Sequence, residues 1–540
     1  MNTQNNARSR RLDCDLLVIG SGASGLAAAV TAASQGLKVI VVEKHATFGG
    51  ATAWSGGWLW VPGNPLAKRA GIDEDPQQPR TYLKNELGSR YNAERVDAFL
   101  DNAPRMVAFF EENTALKWVD GNGIPDIHGH VPGAAVQGHQ VIAAPYDARH
   151  MGRLIRRMRK PMRETSFLGM PIMAGPDLAA FLSMTQSLKS FIHVSKRFLR
   201  HLRDLALHGR AMHLVNGQAL VARLAKSAVD LGVTLIESAP ARQLILDQGK
   251  VLGAIVDTPD GTTHIYATRG VVLAAGGFPN DMRRRKALFP RTPTDNDHLA
   301  LPPVDCSGDG ISLGESAGGV LEVDVASPAA WAPVSLVPHA DGSTGHFPHI
   351  IDRAKPGLIG VLSTGKRFVN EADGYYDYTA AMMTAAPEGE EVASWLICDH
   401  RFQRRFGLGH SRPFPLPVGP SVRSGYLHRA ASIHALAEAC GIDPAGLSET
   451  VRNFNEHARN GQDPAFGRGS TPYNRKQGDP LITEGNPCVA PIEHGPFYAV
   501  KVRPGSFGTF AGLKTNGHAQ VVDRSGAAIT GLYAVGTDMA

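Results

Sequence analysis

The sequence predicts an α/β fold whose first module is a doubly wound, Rossmann-like sheet that holds a dinucleotide. Three observations predict it. Residues 16–25, LLVIGSGASG, form an apolar run ending in Gly20, Gly22 and Gly25, the G-x-G-x-x-G spacing. That run leads straight into Leu26-Ala27-Ala28-Ala29-Val30, a good helix opening. A second apolar run, 38–42, ends in an acid, Glu43, 23 residues after Gly20. The first glycine permits a tight turn, the second lets the backbone approach a pyrophosphate, and the third packs helix on strand. The helix start, with Ala23 and Ser24, turns unpaired N–H groups and a positive dipole end towards the phosphates. Glu43 can accept ribose hydroxyls and would repel a 2′-phosphate; alone it would read as a solvated strand-end acid. Lys44, beside it, joins the candidate nucleotide contacts.

The whole chain bounds the rest. At 540 residues it is too long for one core. With 43% hydrophobic and 19% charged residues it has a globular composition. A net charge of +5 is small for this length and gives no case for nucleic acid. No apolar run reaches the roughly 18 residues of a membrane span. Arg10-Arg11 is followed by no apolar export segment. The five cysteines are scattered without C-x-x-C, which predicts reduced thiols in a cytoplasmic protein. The histidines show no metal-ligand spacing, so no metal is expected.

After Glu43 comes Gly49-Gly50-Ala51-Thr52-Ala53-Trp54-Ser55-Gly56-Gly57, a backbone able to lie flat on a ligand, or else an ordinary flexible loop. This stretch resembles the flavoprotein superfamily of fumarate reductase, succinate dehydrogenase and 3-ketosteroid dehydrogenases. The resemblance implies an FAD-dependent oxidoreductase acting on CH–CH groups. It sets Gly50, Ala51, Thr52, Ser55, Gly56 and Gly57 against the flavin ring. Residues 54–62, WSGGWLWVP, are most similar to the ketosteroid branch. Succinate dehydrogenases carry a histidine where Trp54 stands, so the FAD is expected to be non-covalent.

Val96, Leu100, Ala103, Val107 and Phe110 recur at helical spacing within a helical region, 66–120. In Pro125-Asp126-Ile127-His128-Gly129-His130 the ketosteroid branch places an active-site tyrosine where Ile127 stands; His128 and His130 read as surface-loop histidines. Residues 150–213 read as a helical insertion. It carries a basic cluster from Arg153 to Arg163 and an apolar stripe of Phe191, Val194, Phe198, Leu202 and Leu205. A hairpin packed on its own domain and a basic amphipathic helix on an anionic membrane surface both fit.

Strands at 233–237, 241–245 and 251–257, then the buried run 271–278 ending in Ala274-Ala275-Gly276-Gly277, complete the module. By the resemblance Ala241 receives the adenine, Ala275 and Gly276 pass close to the dinucleotide, and Asp309 lies near it. From the residues alone Asp309 is equally an N-cap.

Residues 331–495 carry the pattern of a substrate-capping α+β domain inserted into the FAD domain, whose parts are 1–330 and 496–540. Within it, Gly365-Lys366-Arg367-Phe368-Val369-Asn370-Glu371 matches a superfamily signature. In the ketosteroid branch a tyrosine five residues after that Asn is the catalytic base, a position held by Tyr375. Tyr376 and Tyr378 compete with it, as does plain packing. Residues 496–502 read as a strand back to the cofactor domain. Residues 506–511 lack the histidine that binds dicarboxylate in fumarate reductases. Gly531-Leu532-Tyr533-Ala534-Val535-Gly536 is the last cofactor strand, with Asp538 expected on the ribityl chain. The family continues past residue 540 through a Tyr-Pro-Gly-x-Gly element, so a C-terminally truncated form with weak flavin binding is expected. The implied reaction is ring A dehydrogenation of a 3-ketosteroid, Δ1 or Δ4. Its partners would be a small hydrophobic ketone and an external electron acceptor. A related desaturase or enoate reductase on a non-steroid substrate and a non-catalytic flavin-binding remnant are the alternatives.

Overall fold

A computed structural model describes residues 10–292, 294 and 296–540; residues 1–9, part of the segment read for an export signal, lie outside them. Along the chain come β1 (Arg10–Ile19), α1 (Ala23–Ser34), β2 (Val39–Val42), α2 (Gln77–Leu87), α3 (Ala93–Asn113), α4 (Leu188–His208), α5 (Asn216–Asp230), β3 (Thr234–Ile236), β4 (Ala241–Asp247), β5 (Lys250–Thr258), β6 (Gly261–Leu273), α6 (Asp309–Ser316), β7 (Ala329–Pro338), β8 (Thr344–Pro348), β9 (Leu358–Val361), α7 (Tyr375–Ala385), β10 (Ser394–Cys398), β11 (Phe497–Thr509), β12 (Gln520–Val522) and β13 (Ala528–Ala534), with shorter elements between.

The first sheet runs β12-β13-β6-β1-β2-β3, and β4 and β5 extend from β6 as an antiparallel meander. β1, β2, β3, β6 and β13 are mutually parallel, with Ile19 opposite both Val42 and Leu273. The four residues of β2 are all buried. Such an uninterrupted apolar strand is what a parallel sheet covered on both faces requires. On one face Leu26 and Val30 of α1, Val107 and Phe110 of α3, and Leu220 and Leu224 of α5 form the core. On the other, Val251, Ile265, Ile311 and Leu532 pack with Met382 and Met383 of α7. This is the doubly wound α/β fold expected.

The second sheet runs β8-β7-β11-β10-β9. The strand expected at 496–502 forms the first part of β11, in the second sheet. β11 extends through Thr509, pairing first with β10 and then with β7. Its alternating and apolar residues find partners on both sides within the second sheet, and the chain rejoins the first sheet only at β12. The helical region 66–120 resolves into α2, α3 and a short helix, with Val96, Ala103, Val107 and Phe110 buried as their spacing predicts. None of the helices among the described residues is long and apolar enough to cross a membrane.

Candidate active site

A cavity of about 3510 Å³ opens where β1, β2 and β6 end, lined by Ile19 and Gly20, Val42 and Glu43, and Ala274 and Ala275. The carboxyl ends of parallel strands are where open α/β sheets bind ligands. The space exceeds the usual 300–1,000 Å³ of a single-ligand pocket, leaving room for a dinucleotide and a second molecule together.

The three glycines divide their work as their spacing implies. Gly20 has φ +110°, and a Cβ there would lie 2.1 Å from the Ala274 carbonyl oxygen. A Cβ at Gly25 would lie 2.1 Å from the Gly20 oxygen, so the helix can sit this close to the turn only without one. At Gly22 the nearest atom would be Thr52 Oγ1, 3.5 Å away, so this glycine presents bare backbone to the cavity. No side chain caps α1 at Gly22. The Ala23 N–H donates to Thr52 Oγ1 at 3.0 Å, which ties the second glycine loop to the helix start.

Glu43 is buried and fixed by three donors: Ser21 N–H at 3.2 Å, Ser21 Oγ at 2.5 Å and His45 N–H at 2.9 Å. Ser21 Oγ also accepts from Gly49 N–H at 3.1 Å, joining the two glycine loops through one hydroxyl. Sequence reasoning passed over Ser21; its only signal was a hydroxyl residue inside the glycine triplet.

Ala23, Ser24, Gly50, Ala51, Thr52, Ser55, Gly56, Gly57, Ala241, Ala275 and Gly276 also line the cavity. Lys44 and Asp309 stand at its edge as an ion pair, Nζ to Oδ2 2.6 Å, with Ser307 Oγ 2.7 Å from the same nitrogen. The N-cap reading of Asp309 does not hold. Gly308 in the left-handed region precedes α6, and Asp309 is its first residue with its carboxylate turned to Lys44.

Asp538 is not on the cavity wall. It is fully buried, accepting from Ala275 N–H at 2.5 Å and Gly277 N–H at 2.8 Å. Burial pushes its pKa up to about 6 against those hydrogen bonds. It therefore holds the Ala275–Gly277 turn from beneath, while Gly536, Thr537 and Met539 face the cavity. The bare backbone at Gly22, the uncapped helix and the fixed carboxylate fit FAD. Trp54 donates its indole N–H to the Lys160 carbonyl at 3.1 Å.

Across the cavity, Tyr375 is the first residue of α7. Its ring packs edge-on to Phe507, centroids 5.1 Å apart, beside Met162, Leu299, Ala332 and Val334. Its hydroxyl has no protein hydrogen-bond partner among the described residues. Burial, then the charge of Asp377, raises its pKa. Tyr378 drops out as a competitor: it is fully buried, with its hydroxyl 2.9 Å from Ser394 Oγ. Tyr376 lines the cavity and lies against Phe510.

The signature before Tyr375 is a buried ionic cluster. Glu371 receives Arg367 at 2.6 Å, Arg468 at 3.4 Å and the Gly360 N–H at 3.0 Å, and Arg367 also pairs with Asp463 at 2.7 Å. Arg353 donates to the carbonyls of Glu371 and Asp373. These contacts fix the backbone that enters α7 and so the position of Tyr375.

Ile127 lines the cavity next to α7; a Cβ on Gly374 would lie 2.9 Å from its Cγ2. Its neighbours anchor the loop. Asp126 accepts from Trp60 Nε1 at 2.8 Å and pairs with His139, which reaches Glu74 at 2.5 Å. His128 is not the loose surface histidine expected. It bridges Glu86 of α2 at 2.8 Å and Asp377 of α7 at 3.0 Å, and these partners, Asp377 first, lift its pKa to about 9. His130 is exposed, as expected.

Three of the six basic residues between Arg153 and Arg163 form ion pairs among the described residues. Arg157 binds Glu237, Arg159 binds Asp305 and Arg163 binds Asp341. The α4 stripe splits between two faces. Val194 and Phe198 line the cavity, whereas Leu188, Phe191, Ile192, Leu199 and Leu202 are exposed.

Residues 15–540 match the model of the FAD binding domain family. The chain is 40% identical to 4-oxocyclohex-2-ene-1-carboxylate 5-dehydrogenase of Sinomonas cyclohexanicum, over 98% of this chain and 89% of that protein. It is 32% identical to 3-oxosteroid 1-dehydrogenase of Mycolicibacterium smegmatis, over 97% of this chain and 91% of that one. A crystal structure of 3-ketosteroid delta1-dehydrogenase from Sterolibacterium denitrificans, in complex with 1,4-androstadiene-3,17-dione, superimposes with a TM-score of 0.89 at 31% identity. That alignment covers 98% of this chain and 94% of the other.

Proposed function

The chain belongs to the FAD binding domain family and is a flavin-dependent dehydrogenase of CH–CH groups; we propose that it desaturates a six-membered ring ketone at the carbon–carbon bond beside the carbonyl, with Tyr375 as the base. The observation that carries this reading is Tyr375 itself, an unpartnered phenol on the wall of the cavity that the nucleotide cradle also borders.

FAD, held without a covalent bond, supplies the two-electron acceptor. The chain's own residues do the rest. The Tyr375 oxygen takes the proton from the carbon next to the carbonyl. A phenol with a pKa above about 10 is a strong base but scarce as phenolate at neutral pH. Its place at the start of α7 sets it at a positive helix end, and His128, protonated at neutral pH, offsets part of the Asp377 charge. Turnover is therefore expected to climb with pH until Tyr375 ionises. Phe507, Met162 and Val334 keep the phenol out of bulk water. An external acceptor removes the electrons.

The substrate reading favours a single-ring oxo acid of the kind named for the Sinomonas relative. Its identity is the higher, and Ile127 stands where the ketosteroid branch carries an active-site tyrosine. A 3-ketosteroid, dehydrogenated at Δ1 or Δ4, is the second reading; the TM-score of 0.89 to a steroid-bound enzyme supports it. The exposed apolar face of α4, flanked by Lys189, Lys196 and Arg203, supports a contact with an anionic membrane surface. Incubating holoenzyme and an artificial acceptor with 4-oxocyclohexanecarboxylate and with 5α-androstane-3,17-dione, saturated at both Δ1 and Δ4, separates the substrates. The expected product is the acid carrying a double bond next to its ketone. Turnover of the steroid alone would select the second reading, and turnover of neither would refute both.

A further inference from the structure

Several cations around the cavity are neutralised. Lys44 pairs with Asp309, Arg159 with Asp305 and Arg90 with Asp324. Arg412 also lines the cavity, and among the described residues it has no carboxylate partner. Its Nη2 donates only to backbone, the carbonyls of Glu164 at 2.8 Å and Ser166 at 3.3 Å. The Glu164 carboxylate is turned away to His339 at 2.7 Å. Burial lowers the Arg412 pKa from its ordinary value, yet a guanidinium keeps its charge in protein interiors.

The surrounding loop holds this cation in place. Gly409 N–H donates to Asp352 at 3.2 Å, His410 N–H to the Tyr426 hydroxyl at 2.8 Å, and Gln403 Nε2 to the Arg412 carbonyl at 3.3 Å. The guanidinium carbon lies 6.0 Å from the centroid of the Phe347 ring. The phenol and the guanidinium both line that one cavity, the first from the start of α7 and the second from the loop that follows Gly409.

We infer that Arg412 is the specificity-determining anchor for a carboxylate on the ring ketone, a role that rests on the single-ring reading above. A planar guanidinium offers a fork of donors matched to a carboxylate. Two of its hydrogen bonds to backbone fix that fork without cancelling its charge. A neutral polycyclic ketone would leave the charge desolvated and unpaired, which is unfavourable, whereas an oxo acid supplies the missing anion. Four other lining cations lack a carboxylate partner among the described residues: Arg95, which donates to the Ala540 oxygen, the exposed Arg475 and Lys476, and Lys355, the buried competitor, whose Nζ is spent on the carbonyls of Gln477 and Gly478 at 2.7 Å each.

The test measures kcat and KM of the holoenzyme for 4-oxocyclohexanecarboxylate and for its neutral methyl ester, in wild type, Arg412→Met, Arg412→Lys and Lys355→Met. Arg412→Met is expected to lose about 100-fold in kcat/KM on the acid, mostly through KM, with little change on the ester. Arg412→Lys is expected to recover part of the loss. Binding of the unreactive cyclohexanecarboxylate, followed by perturbation of the flavin spectrum, should weaken in parallel. An equal fall on acid and ester, or a selective loss in Lys355→Met and not in Arg412→Met, overturns the anchor and leaves the ring-ketone reading standing. A wild-type enzyme that turns over steroid but neither acid nor ester removes that reading, and the anchor with it.

Discussion

The nucleotide cradle and the ketone-facing wall border one cavity but are built from different materials. The cradle is backbone: three glycines, an uncapped helix and one carboxylate, nearly all from residues 20–57. The facing wall is side chains from distant segments, including Met162, Ile127, Tyr375 and Phe507, held by buried ions. A backbone site tolerates little substitution because a Cβ fills it. A side-chain wall can be respecified one residue at a time. Binding of the cofactor and choice of the ketone are therefore separable in this molecule, and mutations should separate them.

The largest effect is expected where the wall is supported. Glu371→Ala leaves the buried Arg468 without its carboxylate and Arg367 with Asp463 alone, and breaking a buried pair this way costs about 3–5 kcal/mol. Thermal unfolding should report that loss, with activity falling as the entry to α7 loosens. Gly20→Ala attacks the other side. Its Cβ would lie 2.1 Å from the Ala274 oxygen, and we expect at least about a 100-fold loss of FAD affinity, roughly 2.8 kcal/mol, read by flavin fluorescence. If Gly20→Ala kept FAD while Glu371→Ala released it, the division of labour drawn here would be wrong.

The cradle was legible because its parts are neighbours in sequence: the spacing of Gly20, Gly22 and Gly25 and the acid at 43 each encode local geometry. The facing wall was only half legible. Tyr375 could be found from the signature that precedes it, but its support by Asp463 and Arg468 could not, because those residues arrive from some 90 positions away. The bridge from His128 to Asp377 spans 249 positions, and a loop histidine carries no mark of such a partner. Asp538 was legible as a cofactor-strand acid but not as one facing inward to the 275–277 turn. β11 was legible as a strand at 496–502, but its pairing within the second sheet was not, because a strand reads the same whichever sheet receives it.

Smaller effects sharpen the contrast. His128 and His139 both have pKa values raised to about 9. At His139 burial opposes the charge, but the hydrogen bonds to Asp126 and Glu74 outweigh it. Unfolded histidine titrates near 6.5, so these bridges contribute their full stability below about pH 6.5 and lose it as the pH rises through 9. Denaturant midpoints should fall over that window, and His128→Gln should flatten the slope without changing FAD affinity. A slope unchanged by His128→Gln would sever the wall from that bridge. The smallest effect belongs to α4. Arg203→Glu with Lys196→Glu should weaken binding to anionic vesicles and leave turnover of a soluble ketone unchanged; unaltered vesicle binding would remove the membrane contact.

The central claim is that the phenol of Tyr375 removes the proton that lets electrons leave the ring. Mixing oxygen-free holoenzyme with 4-oxocyclohexanecarboxylate and following flavin absorbance tests it most directly. Wild type should bleach within turnover time. Tyr375→Phe should stay yellow, bind the ketone, and bleach about 100- to 10,000-fold more slowly. Bleaching of Tyr375→Phe at the wild-type rate would contradict the account.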